Sequence, residues 1–154
     1  MNVIIRKAIL DDSQSIQKLI QSYASKGKML ARSLHHIFEH IRDFYVAATE
    51  TGEIVGTCAF KVSQRELAEA KSLAVSEEYQ HKGLATDLLN AGIEDIKLLG
   101  ISKLFCLTYV PEFFEKNGFH RIKKEDLPHK IWTECINCPS FPDCDEIAMI
   151  RDIS

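Results

Sequence analysis

Apolar residues change their period several times along the chain, and those changes lay out an order of elements. Val3–Arg6 is a short β-rich run. Asp11, Asp12 and Ser13 then offer N-caps, and Ile16, Leu19, Ile20 and Tyr23 recur at helical spacing as far as Gly27. Ser33 is placed to cap a second helix whose stripe is Leu34, Ile37, Phe38 and Ile41. Phe44–Thr49 and Ile54–Val62 flank the turn Glu50–Thr51–Gly52–Glu53, which predicts an antiparallel hairpin. Leu67–Val75 is the next strand. A polar turn with Gly83 opens into a long helix carrying Leu84, Leu88, Ile96 and Leu99, with Gly100 as its C-terminal cap. Lys103–Thr108 reads as a buried strand and Pro111–Asn117 as a short helix closed by Gly118. His120–Lys123 and Ile147–Ile150 complete the strands. This interleaving predicts one layered α/β (α+β) domain over residues 1–154, and the early hairpin makes its sheet mixed.

Composition narrows the function classes. The 154 residues suit a single domain with an ample core, and there is no internal repeat or linker. A hydrophobic share of 45% and a charged share of 27%, with 7 Gly and 4 Pro, exclude disorder and low complexity. The 19 basic and 22 acidic residues give a net charge of −3, which argues against nucleic acid as a partner. Local basic sites for a small anion remain open. No run approaches the ~18 apolar residues of a membrane span, so no membrane partner is expected. Asp11 and Asp12 follow Arg6 and Lys7 too soon for a secretory signal. The 5 cysteines are an odd count, and Cys58 and Cys106 sit in strand-like runs, so reduced thiols in a cytoplasm are expected.

The segment Leu73 to Thr86 carries the most chemistry. A strand ends, a polar turn follows, and a Gly-containing loop enters a helix whose first N–H groups lack internal partners. Such an end suits a phosphate, with His81 and Lys82 adding donors and Gly83 permitting close approach. On these features alone an ordinary strand-to-helix connection explains the segment as well. Gln80–His81–Lys82–Gly83–Leu84–Ala85, however, resembles the Q/R-x-x-G-x-G/A pyrophosphate loop of the GNAT acetyltransferase superfamily. Leu73–Ala74–Val75–Ser76 before it and Phe114–Glu115–Lys116–Asn117–Gly118–Phe119 after it fit the same family in order and spacing. Ala85 stands where the pattern often ends in a second Gly. The resemblance implies a mixed, centrally splayed sheet flanked by helices, with acetyl-CoA as cosubstrate. It implies that backbone at Leu73, Ala74 and Val75 pairs with pantetheine, and that Gln80 and the amides from His81 through Lys82, Gly83, Leu84 and Ala85 to Thr86 hold the pyrophosphate. Phe114 belongs to this cofactor side.

A narrower likeness joins Met29–Leu30–Ala31–Arg32–Ser33, Ile41–Arg42–Asp43–Phe44, Leu67–Ala68–Glu69, Leu107–Thr108–Tyr109 and Leu127–Pro128–His129–Lys130–Ile131–Trp132. Together they resemble the acetyltransferase domain of bacterial N-acetylglutamate synthases, in the short free-standing form that lacks an amino-acid-kinase domain. That likeness implies a small amino-acid acceptor, glutamate first, a place in arginine biosynthesis, and a homodimer.

Acetylating an amine needs a base for its proton, donors for the developing oxyanion, and an acid for the leaving thiolate. Glu69 matches the family's base position; by residue type alone it is equally an ion-paired strand glutamate. The amide of Leu73 or Ala74 would meet the oxyanion by the same analogy. Many relatives place an acidic Tyr where this chain has Phe114, so Tyr109 is the candidate acid, with solvent as the alternative. A dicarboxylate acceptor asks for cationic groups, which the family likeness puts at Arg32 and Lys130. Surface solvation is the ordinary fate of both residue types. Other GNAT acceptors (another small amine or a protein N-terminus) and a non-catalytic acyl-CoA-binding module are the rival readings.

Cys135-x2-Cys138-x5-Cys144 offers three thiolates where a structural zinc site takes four ligands, and no second CxxC or His pair completes it. The cluster reads as reduced cysteines packed under Trp132 and Phe141, without a metal.

Overall fold

The computed structural model describes residues 2–127 and 146–154. Its elements are β1 (Val3–Lys7), α1 (Ser13–Ala24), α2 (Leu34–Glu39), β2 (Phe44–Thr49), β3 (Ile54–Gln64), β4 (Leu67–Val75), α3 (Leu84–Lys97), β5 (Lys103–Thr108), α4 (Pro111–Lys116), β6 (His120–Arg121) and β7 (Ile147–Asp152). The strands form one 7-stranded sheet in the order β1-β2-β3-β4-β5-β7-β6. Every described pairing is antiparallel except β4 with β5, whose parallel course needs the crossover that α3 provides.

Helices cover both faces. The apolar stripe of α3, with Leu88, Leu89, Ile93 and Ile96, packs on Val55, Phe60, Ala68, Ala70 and Leu104. A Cβ at Gly92 would lie 2.0 Å from the Phe60 ring, so only glycine lets α3 sit this close to β3. On the other face, Ile16 and Ile20 of α1 and Ile37 of α2 cover Phe44, Val46 and Ala59. Cys58 of β3 and Cys106 of β5 are buried free thiols, and burial pushes both thiol pKa values up. No described helix is long and apolar enough to cross a membrane.

The boundaries depart from the sequence pattern where a local bond stops an element. Ser33 caps α2 as expected, its Oγ accepting from the His36 amide at 3.0 Å. Asp12 does not cap α1 through its side chain. Its carboxylate accepts from the Ile9 amide at 2.8 Å and from Arg6 Nη1 and Nη2 at 2.8 and 3.0 Å. Burial works to raise the Asp12 pKa, but those bonds outweigh it and hold the group low. The second helix ends at Glu39, so Ile41 falls in a separate turn and Phe38 is 44% exposed. The long helix ends at Lys97, leaving Leu99 outside it and 69% exposed. β7 runs on to Asp152 because it pairs along all of β5, whereas β6 keeps only His120–Arg121 as a short edge.

Candidate active site

β4 and β5 pair only from Leu67↔Lys103 to Glu69↔Phe105, although β4 continues to Val75 and β5 to Thr108. The sheet therefore splays at its centre, and a cleft of about 1200 Å³ opens there. β4 also bulges. Thr57 faces Ala74 but Ala59 faces Lys71, so β4 holds one extra residue, and Ser72 takes a left-handed φ of +55°. The bulge flips the alternation: Ala68 and Ala70 before it, and Leu73 and Val75 after it, all pack toward the α3 side. Ser72 and Leu73 drop out of the β3 register at that point.

At one end of the cleft lies the loop into α3. The Tyr23 hydroxyl donates to the Val75 carbonyl at 2.6 Å, and Gln80 Nε2 donates to that carbonyl at 3.1 Å and to the Tyr23 oxygen. Gln80 thus ties the loop to the end of β4 and to α1. His81 at φ +62° and Gly83 at φ +82° turn the backbone, and Gly83 is the N-cap of α3. The first internal bond there is Asp87 N–H to the Gly83 carbonyl at 3.0 Å, so the amides of the first turn point out of the helix end. Gln80, His81, Gly83, Leu84, Ala85 and Thr86 line the cleft, as do Leu73 and Val75. Lys82 does not line it; its ammonium lies 5.6 Å from the centre of the Tyr79 ring. The Ala74 side chain is buried outside the cleft lining.

The other end is built from three elements. Glu69 of β4 is 8% exposed, and Lys61 of β3 stands directly opposite it in the register. Lys71 follows on the same face of β4. Arg32 enters from the segment between α1 and α2, with Met29, Leu30 and Ala31 beside it on the cleft wall. Its carbonyl accepts from Gln17 Nε2 at 3.3 Å, and its buried Nε has no hydrogen-bond partner among the described residues. His36 of α2 and His40, just past its end, complete the wall, their rings 4.4 Å apart. Burial raises the Glu69 pKa, opposed by Lys71, Lys61 and Arg32. Burial lowers the Lys71 pKa, opposed by Glu69. Burial and the surrounding cations bring His36 down to about 4, so it is neutral near pH 7.

Tyr109, at the end of β5, and Phe114, in α4, line the cleft on the splayed side. Phe114 is 4% exposed and meets Phe113 and Phe119 edge-on, so it supplies packing and no proton. Of the residues singled out from sequence, Arg32, Glu69, Leu73, Val75, Tyr109, Phe114 and the loop apart from Lys82 meet at this cleft. Lys130 and the Cys135, Cys138 and Cys144 cluster lie outside the described residues, among which no group of three metal-ligating side chains occurs. Lys61, Lys71 and His36 were missed. The spacing of Glu69 and Lys71 puts both on one strand face, a signal that was present in the sequence.

Comparison with known proteins agrees with this geometry. Residues 40–121 match the family model described as an acetyltransferase (GNAT) domain. An uncharacterized N-acetyltransferase of Chlorobaculum tepidum is 41% identical over 97% of this chain and 96% of its own length. An amino-acid acetyltransferase of Neisseria meningitidis is 33% identical over 82% of this chain, which spans only 29% of that protein. The N-acetylglutamate synthase of Neisseria gonorrhoeae, solved with coenzyme A and N-acetyl-glutamate, superimposes with a TM-score of 0.90 at 27% identity. That match covers 100% of this chain and 36% of the synthase. The chain belongs to the GNAT acetyltransferase family.

Proposed function

We propose that this N-acetyltransferase moves the acetyl group of acetyl-CoA to the α-amino group of an amino acid, with L-glutamate preferred. The observation that carries the reading is the two-ended cleft. Open helix amides lie at one end, and a buried, unpartnered Arg32 Nε beside a buried Glu69 lies at the other. A buried donor left without an acceptor is costly, and a carboxylate ligand offsets that cost. Support comes from the amino-acid acetyltransferases and the N-acetylglutamate synthase among the similar proteins.

The residues present fit acetyl-CoA. A Cβ at Gly83 would meet nothing within 4 Å, so there is open space where a pyrophosphate would reach the first amides of α3. Leu73 to Val75, freed from β5 by the splay, offer backbone to a pantetheine arm. The thioester supplies an activated carbonyl and a good leaving group. Glu69, held protonated to higher pH than an ordinary glutamate, takes the proton of the attacking amine. By the family likeness, the amide of Leu73 or Ala74, next to the bulge, serves as the oxyanion donor. Tyr109 returns a proton to the thiolate, a task water shares because a thiol pKa of ~8.5 makes it a fair leaving group. Arg32 binds one acceptor carboxylate; Lys130, which the sequence suggests as a further basic contact, lies outside the described residues. An N-acetylglutamate product would place the enzyme in arginine biosynthesis.

The test is an acceptor panel with acetyl-CoA and detection of free thiol, comparing glutamate with neutral amino acids, a polyamine and a peptide N-terminus. Glutamate should give the highest kcat/KM. A neutral or cationic amine in first place would remove the glutamate reading and leave the acetyltransferase intact.

A further inference from the structure

We propose that Lys71 is the residue that selects acceptors with a side-chain carboxylate, holding that group while Arg32 holds the α-carboxylate. The proposal rests on the amino-acid reading above and goes further, since it assigns specificity to a residue outside the family motifs.

The argument is one of charge and register. Among the described residues, the acceptor end of the cleft holds the cations Arg32, Lys61 and Lys71 and the anion Glu69, while Lys28, also on the lining, acts on Glu77. Lys61 is directly opposite Glu69 across the β3–β4 pair, the position at which opposite charges support each other best. Arg32 and Lys71 then remain, and together they match the two negative charges of a dicarboxylic amino acid whose amine is neutral. The neighbouring titratable groups do not cancel them. Desolvation keeps His36 neutral. Asp43 lines a small neighbouring pocket with Lys71 and favours the charged form of that lysine, but only at longer range, its carboxylate lying 3.6 Å from His40 Nδ1. Glu146 lines the opposite wall, at the start of β7 beside the Tyr109 end of β5.

Lys71 is also held where a ligand can use it. It sits just before the bulge, opposite Ala59, so a small neighbour leaves room above the sheet. Its carbonyl is 3.7 Å from the Cys58 Sγ, which fixes the backbone beneath it. Among the described residues its ammonium makes no ion pair within 4.0 Å, and Glu69 and Asp43 act on it only at longer range. A half-buried lysine kept without a close partner beside an orphaned arginine Nε is a pair of sites awaiting anions.

The experiment is steady-state kinetics on the full chain with glutamate and with glutamine, which has the same shape without the side-chain charge. The parent should prefer glutamate. Lys71→Met should cut that preference roughly ten- to a hundredfold through the KM for glutamate, and Lys71→Arg should restore part of it. An unchanged preference, or an equal fall of kcat for both acceptors, would overturn the assignment, because Lys71 would then act only through Glu69. A parent that acetylates neither amino acid sinks the functional reading itself, and the parent assay alone shows this. A measurement on the parent covers a variant that does not fold: glutarate should compete with glutamate more tightly than butyrate does. Equal inhibition by the two would discard a second carboxylate site.

Discussion

The two ends of the cleft are built by different means. At the cofactor end the groups that matter are backbone amides, aimed by His81 and Gly83 in left-handed conformations and by the start of α3. At the acceptor end they are side chains, contributed by β3, β4 and the segment before α2. A backbone site needs contiguous residues with special dihedral angles, so it leaves a compact motif. A side-chain site needs only that distant residues converge, and it can change its specificity by single substitutions without disturbing the fold. Changes at the acceptor end should therefore split by role, whereas a change at the loop should act on one ligand alone.

The largest effect is expected at Glu69, where the two ends meet. Glu69→Gln keeps the shape and removes the base, so kcat should fall by roughly 10²–10⁴-fold while the KM for acetyl-CoA holds. A retained kcat would hand the proton to another group. Stability gives an independent sign. Burial raises the folded pKa of Glu69, so its favourable contribution is present below the unfolded value and is lost as pH rises through the folded one. The melting temperature of Glu69→Gln should accordingly gain on that of the parent as pH goes from acid to neutral.

Next comes the loop. A Cβ at Gly83 meets nothing within 4 Å, so Gly83→Asp carries only the backbone strain of its φ of +82°, and in the folded variant its charge should oppose a pyrophosphate at the helix end. Calorimetry should show acetyl-CoA affinity down by at least a hundredfold, roughly 3 kcal/mol. Affinity equal to that of the parent in a folded variant would discard the loop as the phosphate site. Arg32→Ala should cost the acceptor about 1.5–3 kcal/mol, or roughly ten- to more than a hundredfold in the glutamate KM, with acetyl-CoA binding little altered. Arg32→Lys should recover only part of this, since an ammonium lacks the planar fork. If Arg32→Ala handles glutamate as the parent does, the clamp is wrong.

The same contrast explains what could be read from sequence. Element order was legible because each strand and helix carries its own period and punctuation: Ser33 caps, Gly83 turns, and the hairpin around Gly52 closes. Helix ends were less so. The apolar stripe runs past the last hydrogen-bonded turn, which carried Ile41 and Leu99 into helices that stop at Glu39 and Lys97. The bulge at Ser72 leaves no compositional trace, because a serine in a left-handed conformation is held there by its surroundings. Without the bulge the β3–β4 register cannot be fixed, and without the register Lys61 reads as another surface lysine. Tyr23 shows the same limit: its spacing marks a helix stripe, yet its hydroxyl secures the end of β4 and the loop glutamine.

The smallest effect, and the sharpest test of how the acceptor end divides its cations, is at Lys61. If Lys61 is the counter-charge of Glu69, its removal should alter when the base ionises rather than which acceptor binds. Lys61 lowers the Glu69 pKa against the larger effect of burial, so Lys61→Met leaves burial less opposed and the carboxyl keeps its proton to still higher pH. The acid limb of the kcat/KM profile should then move to higher pH. Activity lost at the acid end should return on the alkaline side, where Glu69 is ionised in both proteins. The ratio of glutamate to glutamine should stay close to that of the parent, in contrast to Lys71→Met. A fall in that ratio without movement of the limb would mean that Lys61 binds the acceptor directly. The two lysines would then exchange roles, with Lys71 left as the neighbour that steadies the base.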